Sequence, residues 1–190
     1  PAEACLIQKE LGASCPAFDV NGACSGFVYA LDVADGYFAR GRVKKVLVVA
    51  SEALSRVTDW SDRRTCVLFG DGSGAVVLGE GDDLLSLRLT TTGNDQVLYV
   101  PAFRGKSPFD QTVKECGDYI YMNGQEVYRF AVNSMFRELK ASIEEAGLTL
   151  DQVDYLLPHQ ANLRIIDTAV QKLKIPREKV GVTIQKYGNT

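Results

Sequence analysis

A cysteine, a histidine and an asparagine stand at positions in this sequence where side chains could do chemistry. Cys24 lies in the small-residue run NGACSG, between an apolar segment and the start of an apolar helical pattern. The unpaired N–H groups and the dipole at a helix start favour an anion, so they lower the pKa of a thiol placed there. Cys24 is therefore a candidate nucleophile. The alternative is a cysteine selected for its small size at a tight strand–helix junction.

His159 is the only histidine among the 190 residues. It follows the apolar run LLP and precedes a second helical pattern, while Asn189 follows the last apolar segment in YGNT. In open α/β sheets ligands bind at the carboxyl ends of the strands, where all three candidates are expected. A structural histidine and an ordinary turn asparagine are the alternatives for the last two.

These residue types limit the reaction. A cysteine can be acylated, and histidine and asparagine can each donate a hydrogen bond to a developing oxyanion. No acidic residue adjoins His159 in the sequence, which favours a neutral imidazole donor over a strong base. An acylated thiol with two such donors suits stabilisation of an enolate. One histidine and five cysteines without C-x-x-C spacing predict neither a metal site nor a disulfide framework.

The elements that position these residues alternate between strand and helix. In the first half we expect a strand at 16–20, a helix over 27–41 and a buried strand at 44–51, which together form a parallel βαβ unit. Two strands around the GDGSG turn (70–74) are expected to form a hairpin. Asp82 and Asp83 mark a polar break, so we place a boundary near residue 83 and divide the chain into domains 1–83 and 84–190.

In the second half we expect a strand at 84–93, an irregular stretch at 94–120 and a helix over 123–147. A strand at 152–158, a helix over 161–174 and a final strand at 180–190 follow, which makes the class α/β. Apolar stripes should face the core in both helices. Their members are Val127, Phe130, Ala131, Met135 and Leu139, then Leu163, Ile166, Ala169, Val170 and Leu173.

Composition excludes several classes of protein. The chain is 46% hydrophobic with a net charge of −3 and a pI of about 5.3, which suits a globular protein and not a nucleic-acid binder. No apolar run approaches the roughly 18–20 residues of a membrane helix, and no signal-peptide pattern is present. The loose cysteine spacing indicates a reducing cytoplasm. The sequence opens without Met, so we expect the natural N-terminus upstream.

Four segments resemble β-ketoacyl-acyl-carrier-protein synthase III, the initiating condensing enzyme of bacterial fatty-acid synthesis. They are ACSGF (23–27), FGDGSGA (69–75), LPHQANLRII (157–166) and YGNT (187–190), in the same order as in the family. The resemblance implies a thiolase-like fold, layered αβαβα with two pseudo-symmetric halves, incomplete in this chain. It also implies a cytoplasmic homodimer. Residues 1–83 would belong to the N-terminal half and residues 84–190 to the C-terminal half.

The resemblance also implies roles for individual residues. Cys24 matches the nucleophile that takes an acyl group from acyl-coenzyme A, and its backbone N–H matches one arm of the oxyanion hole. His159 and Asn189 match the pair that promotes decarboxylation of malonyl-acyl carrier protein. Further residues match substrate contacts, namely Arg63, Phe69, Met122, Gly124 and Asn162, and Arg164 matches a contact to the carrier protein. No metal or cofactor is implied, since the coenzyme A thioester is a substrate, and neither a nucleic acid nor a membrane is an expected partner.

The sequence departs from the family in two ways. Asn21 and Gly22 stand where many relatives carry small apolar residues, so we expect a local change in the turn before Cys24 without loss of chemistry. Both ends of the family are missing, and we expect no turnover from these 190 residues alone. Alternatives are a condensing enzyme of secondary metabolism, a non-catalytic paralogue and a papain-like cysteine hydrolase. The last lacks its C-G-[SA]-C-[WY] signature, and the strand–helix alternation does not fit it.

Overall fold

A computed structural model describes residues 2–101, 108–109 and 119–190. Its helices are α1 (Glu3–Glu10), α2 (Gly26–Ala39), α3 (Gly124–Glu145), α4 (Leu163–Leu173) and α5 (Ile184–Tyr187). Its strands are β1 (Lys45–Ala53), β2 (Asp71–Gly79), β3 (Leu98–Tyr99) and β4 (Tyr121–Met122). Strand β1 pairs with β2, and β3 pairs antiparallel with β4. Helices and strands are mixed along the chain, as expected for the α/β class.

The chain divides into two compact units. One comprises Pro1–Ser51 and Ser73–Leu89, and the other comprises Glu52–Gly72 and Thr90–Thr190. Cys24 therefore belongs to the first unit, and His159 and Asn189 belong to the second.

In the first unit, residues 16–20 are irregular, so the predicted first strand and its parallel βαβ unit are wrong. The Asp19 carboxylate instead accepts hydrogen bonds from the backbone N–H groups of Glu3 and Ala4, at 2.9 and 2.8 Å. These are unpaired donors at the start of α1, a helix that the sequence analysis did not anticipate. The backbone N–H groups of Ala4 and Glu3 hold the pKa of Asp19 below its usual value.

The expected hairpin around GDGSG is also wrong. Residues 71–79 form the continuous strand β2, and a series of turns at 60–67 precedes it. Glycines at 70, 72 and 74 favour a turn by composition, but a strand also accepts glycine where another backbone approaches closely. Strand β1 confirms the strand predicted at 44–51, but only Val48 in it is buried in this chain.

The second unit is built around the packing of α3 on α4, with a core of buried Leu156, Ile166, Val170 and Val180. Both long helices begin at an asparagine cap: the side chain of Asn123 accepts from the backbone N–H of Glu126, and that of Asn162 accepts from Arg164.

The stripe predicted for α4 is confirmed at four positions, while Leu163 is half-buried and Ile165 is buried unexpectedly. In α3 the expected core residue Phe130 is 53% exposed, and Val132 is the buried one.

Three other predicted strands are absent or shortened. Residues 84–93 carry no strand, and the stretch 152–158 contributes a single parallel bridge, from Leu156 to Val180. The final segment is interrupted by α5 and returns to a parallel bridge only at Asn189, which pairs with Phe69. An apolar run becomes a strand only where a partner backbone completes the ladder, which the run itself does not encode. The expected irregular stretch at 94–120 lies partly outside the described residues.

Candidate active site

Cys24 lies in a short 3-10 helix, Ala23–Ser25, which continues directly into α2. Its side chain is exposed, and its thiol forms no disulfide. Ala23 immediately before it has a φ of 46°, in the left-handed region that non-glycine residues seldom occupy. Such strain is concentrated at functional sites, because surrounding contacts must maintain it. The structure therefore places Cys24 at a strained turn that opens a helix, and its role as a nucleophile stays a prediction.

Asn21 and Gly22 account for the shape of this turn. The Asn21 side-chain oxygen accepts a hydrogen bond from the backbone N–H of Ala23 at 3.3 Å, which supports the left-handed residue. A Cβ at Gly22 would lie 2.6 Å from Cδ2 of Tyr29 and 3.2 Å from the backbone of Gly26. Asn21 and Gly22 thus have local structural roles in the turn before Cys24.

His159 follows the end of a short parallel pairing in the second unit. The Leu156 N–H donates to the carbonyl of Lys179 at 2.8 Å, and the Gly181 N–H donates to the carbonyl of Leu156 at 2.9 Å. His159 comes three residues later, and its side chain keeps contact with solvent. The protein atoms packed around it nevertheless desolvate the imidazole and lower its pKa below the usual 6.5. The desolvation therefore favours the neutral form of the imidazole.

Asn189 is fixed through its backbone. Its N–H donates to the carbonyl of Leu68 at 2.9 Å, and its carbonyl accepts from the N–H of Gly70 at 2.8 Å. Asn189 is only 8% exposed, which makes it one of the few buried polar residues among those described. Gly188 before it has a φ of 73° and a ψ of −163°, a conformation that is essentially restricted to glycine.

Gln160 is a residue that the sequence analysis missed. Its side-chain Nε2 donates to the carbonyls of Pro158 and Gly181, and its Oε1 accepts from the N–H groups of Thr183 and Ile184. One side chain thus connects the segment that carries His159 to the segment that leads to Asn189. A glutamine beside a candidate histidine was the only sequence signal, and it does not reveal the partners.

The other predicted site residues have varied surroundings. Phe69 and Met122 are half-buried, Gly124 is the first residue of α3, and Arg63 is exposed in the turns before β2. Asn162 uses its side-chain oxygen to cap α4, at 2.9 Å from the N–H of Arg164. A role in substrate binding stays a prediction for all of these residues. Arg164 is exposed in the first turn of α4.

No group of three or more potential metal ligands occurs among the residues that the structure describes. Four cysteines in that part of the chain form no disulfide, namely Cys5, Cys15, Cys24 and Cys66, and Cys116 lies outside it. In the same part of the chain, no helix has the length and apolar character needed to cross a membrane.

Two family profiles match the chain. The profile for 3-oxoacyl-[acyl-carrier-protein (ACP)] synthase III covers residues 18–93, and the profile for the C-terminal part of the same enzyme covers residues 143–190. Similar curated proteins are β-ketoacyl-[acyl-carrier-protein] synthase III of Thioalkalivibrio sulfidiphilus, 47% identical over 194 residues, and that of Clostridium acetobutylicum, 44% identical over 195 residues. Each alignment covers 100% of this chain and 60% of the relative. The chain thus spans about 60% of the length of the relatives it matches.

Solved structures of condensing enzymes are also similar to this chain and are longer than it. The crystal structure of 3-oxoacyl-[acyl-carrier-protein] synthase III from Aquifex aeolicus superposes with a TM-score of 0.88 at 44% identity, covering 100% of this chain and 59% of that one. A priming β-ketosynthase from the R1128 polyketide biosynthetic pathway superposes with a TM-score of 0.80 at 34% identity, covering 100% of this chain and 58% of that one. These superpositions confirm the thiolase-like fold.

Proposed function

The chain belongs to the 3-oxoacyl-[acyl-carrier-protein] synthase III family, and from this membership we propose that the natural protein containing it initiates fatty-acid synthesis by a decarboxylative condensation. The substrates are an acyl-coenzyme A and malonyl-acyl carrier protein, and the product is a β-ketoacyl-acyl carrier protein. Family membership argues against a papain-like hydrolase. Cys24, His159 and Asn189 argue against a non-catalytic paralogue, because all three reactive types are retained.

In the first half-reaction, the sulfur of Cys24 attacks the thioester carbonyl of acyl-coenzyme A. A bond forms between this sulfur and the acyl carbon, the bond to the coenzyme A sulfur breaks, and the thiol proton leaves with coenzyme A. The observation that carries the proposal is the strained turn at Ala23 that places Cys24 at the start of α2. The positive end of this helix dipole favours an anionic group at that position.

In the second half-reaction, malonyl-acyl carrier protein loses carbon dioxide. The bond to its carboxylate breaks, and the electron pair becomes an enolate whose oxygen accepts hydrogen bonds from His159 and Asn189. The α-carbon then attacks the acyl-cysteine carbonyl, a carbon–carbon bond forms, and Cys24 leaves as a thiolate. The lowered pKa of His159 supports this role, because it favours the neutral imidazole, which can donate through its N–H.

The first half-reaction is tested with the natural full-length protein and a series of acyl-coenzyme A thioesters. Peptide mass spectrometry should find the acyl group on Cys24, and Cys24→Ala should abolish the adduct. Cys66→Ala provides a control, since Cys66 is another cysteine without a disulfide in the described part of the chain. Absence of an adduct with every thioester, or an adduct on Cys66 alone, would contradict the proposal.

The second half-reaction is tested with His159→Ala. We expect acylation of Cys24 to survive while the release of carbon dioxide from malonyl-acyl carrier protein falls steeply. A loss of acylation in this variant would instead make His159 a base for the thiol.

A condensing enzyme of secondary metabolism is the second candidate. The likeness to the priming β-ketosynthase of a polyketide pathway, at 34% identity, favours it. The identities of 44 and 47% to synthase III proteins favour the first candidate. The two functions use the same chemistry and differ in their substrates. Product analysis with malonyl-acyl carrier proteins from the fatty-acid and polyketide systems of the same organism would discriminate them.

The remaining assignments are part of the same proposal. Substrate contacts are assigned to Arg63, Phe69, Met122, Gly124 and Asn162. Arg164 is assigned to the acidic carrier protein, for which an exposed cation is a suitable contact. We also propose that the protein works as a homodimer in the cytoplasm without a cofactor, with residues 1–83 in its N-terminal half and residues 84–190 in its C-terminal half.

A further inference from the structure

One side chain in the second unit uses its full hydrogen-bonding capacity on the two segments that carry His159 and Asn189. The Gln160 Nε2 lies 2.8 Å from the carbonyl oxygen of Pro158 and 3.2 Å from that of Gly181. Its Oε1 lies 2.8 Å from the N–H nitrogen of Thr183 and 3.2 Å from that of Ile184. Both amide hydrogens and both lone pairs of the oxygen therefore have partners.

These partners also fix the orientation of the Gln160 amide. Rotation by 180° would place the NH₂ group against two N–H donors and the oxygen against two carbonyls, so all four hydrogen bonds would be lost together. A glutamate at this position could retain the two bonds to N–H groups. It would lose the two hydrogen bonds to the carbonyl oxygens of Pro158 and Gly181 and would place a negative charge next to those oxygens.

Gln160 acts where the backbone pairing between the two segments has stopped. The bridge from Leu156 to Val180 is the last one before His159. Leu157 is 78% exposed, and Pro158 has no N–H to extend the ladder. Without the Gln160 side chain, the hydrogen bonds described between these two segments would end at Leu156, three residues before His159.

On the other side, Gln160 binds the start of the helix that leads to Asn189. Thr183 is the N-cap of α5 and Ile184 is its first residue. The last residue of α5, Tyr187, is followed by Gly188 and Asn189. The first N–H groups of a helix have no partner within it, so the Gln160 oxygen satisfies donors that would otherwise need water. The Gln160 side chain therefore binds Pro158, next to His159, and also binds the start of the helix that ends before Asn189.

From this arrangement we propose that Gln160 is a positioning residue that sets the two enolate-stabilising donors, His159 and Asn189, relative to each other. The inference rests on the proposed function for its chemical consequence. Gln160 itself touches no reacting atom in this scheme. Its loss should impair the second half-reaction, which needs both donors at one oxygen, and leave acylation of Cys24 unchanged.

The test uses Gln160→Met in the natural full-length protein, because methionine approximates the length and volume of glutamine without its hydrogen bonds. Gln171→Met is the matched control, since Gln171 is exposed in α4. We expect acylation of Cys24 within about twofold of wild type, while carbon dioxide release falls by roughly tenfold to a hundredfold, as for a donor displaced by about 1 Å.

A second readout does not depend on activity. The imidazole resonance of His159, assigned by its loss in His159→Gln, can be titrated by NMR in each variant. We expect the pKa of His159 to return toward 6.5 in Gln160→Met, because a released imidazole is better solvated, and to stay lowered in Gln171→Met. This measurement tests whether Gln160 positions His159 even if the proposed function is wrong. In that second case, the wild type itself would show neither acylation nor decarboxylation.

Three results would overturn the inference. One is equal loss of acylation and decarboxylation in Gln160→Met, which would indicate a general folding defect, and thermal denaturation would confirm that defect. Another is unchanged decarboxylation in Gln160→Met. The third is a His159 pKa that is the same in the wild type and in Gln160→Met. This result would count against the inference whether or not the wild type is active.

Discussion

Asn189 and Phe69 form an isolated parallel β-bridge, in which the backbone of Asn189 donates to Leu68 and accepts from Gly70. The bridge joins the segment YGNT to the segment FGDGSG, two of the four motifs on which the resemblance to the family depends. A Cβ at Gly70 would lie 2.7 Å from the carbonyl oxygen of Tyr187, and one at Gly72 would lie 3.1 Å from the side chain of Thr190. These two glycines therefore permit the close approach of the chain that carries Asn189.

Gly188→Ala should destabilise this arrangement. Gly188 adopts a φ of 73° and a ψ of −163°, and its Cβ would lie 3.3 Å from the carbonyl oxygen of Leu68. We expect the free energy of unfolding to fall by about 1–3 kcal/mol, as measured by urea denaturation. Gly74→Ala is the control, because nothing lies within 4 Å of a Cβ there, and it should change stability by less than about 0.5 kcal/mol. Equal effects of the two changes would contradict the prediction.

Gly22→Ala should impair the turn at Cys24. The new Cβ would lie 2.6 Å from the ring of Tyr29 and 3.2 Å from the backbone of Gly26, so the turn or the ring must shift. We expect the rate of Cys24 acylation, followed by mass spectrometry, to fall on the order of tenfold to a hundredfold. Gly36→Ala in α2 has open space for its Cβ and should leave acylation unchanged while stabilising the helix by about 0.5–1 kcal/mol. An unchanged acylation rate in Gly22→Ala would show that the turn tolerates the extra methyl group.

The helices of this fold were more predictable than its strands. An apolar residue every third or fourth position is a property of one segment, so α4 could be predicted with Ile166, Ala169 and Val170 on its buried face. A strand depends on a partner elsewhere in the chain. The segments 16–20 and 84–93 therefore have a composition typical of strands, but neither of them forms a strand. Helix α1 has no buried residue and depends on Asp19, a contact that no periodicity reveals.

The candidate site was also only partly predictable from the sequence. The chemical types of Cys24, His159 and Asn189 and their places near element ends were evident from the sequence. The contacts that hold them were not. The left-handed Ala23 and the bridge from Asn189 to Phe69 are properties of backbone conformation and pairing. The four hydrogen bonds of Gln160 join residues up to 24 positions apart.

His159 should make the stability of the protein depend on pH. Its pKa is lowered in the folded state through desolvation, and the unfolded value is about 6.5. The unfolded chain therefore binds a proton more readily, so the contribution of His159 to stability is fully present above 6.5 and is lost as the pH falls through the lower, folded value. Urea denaturation of the wild type and His159→Gln across this window should show a steeper acid-side loss in the wild type. Parallel curves would contradict the lowered pKa.

Asn162 caps α4 and has a proposed second role in substrate binding, and a pair of substitutions can separate the two. Its Oδ1 caps α4 by accepting from the Arg164 N–H at 2.9 Å. The proposed substrate contact is tested here as one made by the NH₂ group of the same side chain. Asn162→Ala should remove both and lower the free energy of unfolding by about 1 kcal/mol. Asn162→Asp should keep the cap, since a carboxylate accepts the same hydrogen bond and suits the positive end of the helix dipole, so stability should stay near wild type.

The two roles then give different kinetic results. If Asn162 binds substrate through its amide, Asn162→Asp should raise the KM for malonyl-acyl carrier protein severalfold although the protein is as stable as wild type. If Asn162 acts only as a helix cap, Asn162→Asp should match the wild type in KM, and only Asn162→Ala should be impaired. Urea denaturation and steady-state kinetics on the same preparations decide between them, and a destabilised Asn162→Asp would contradict the capping role itself.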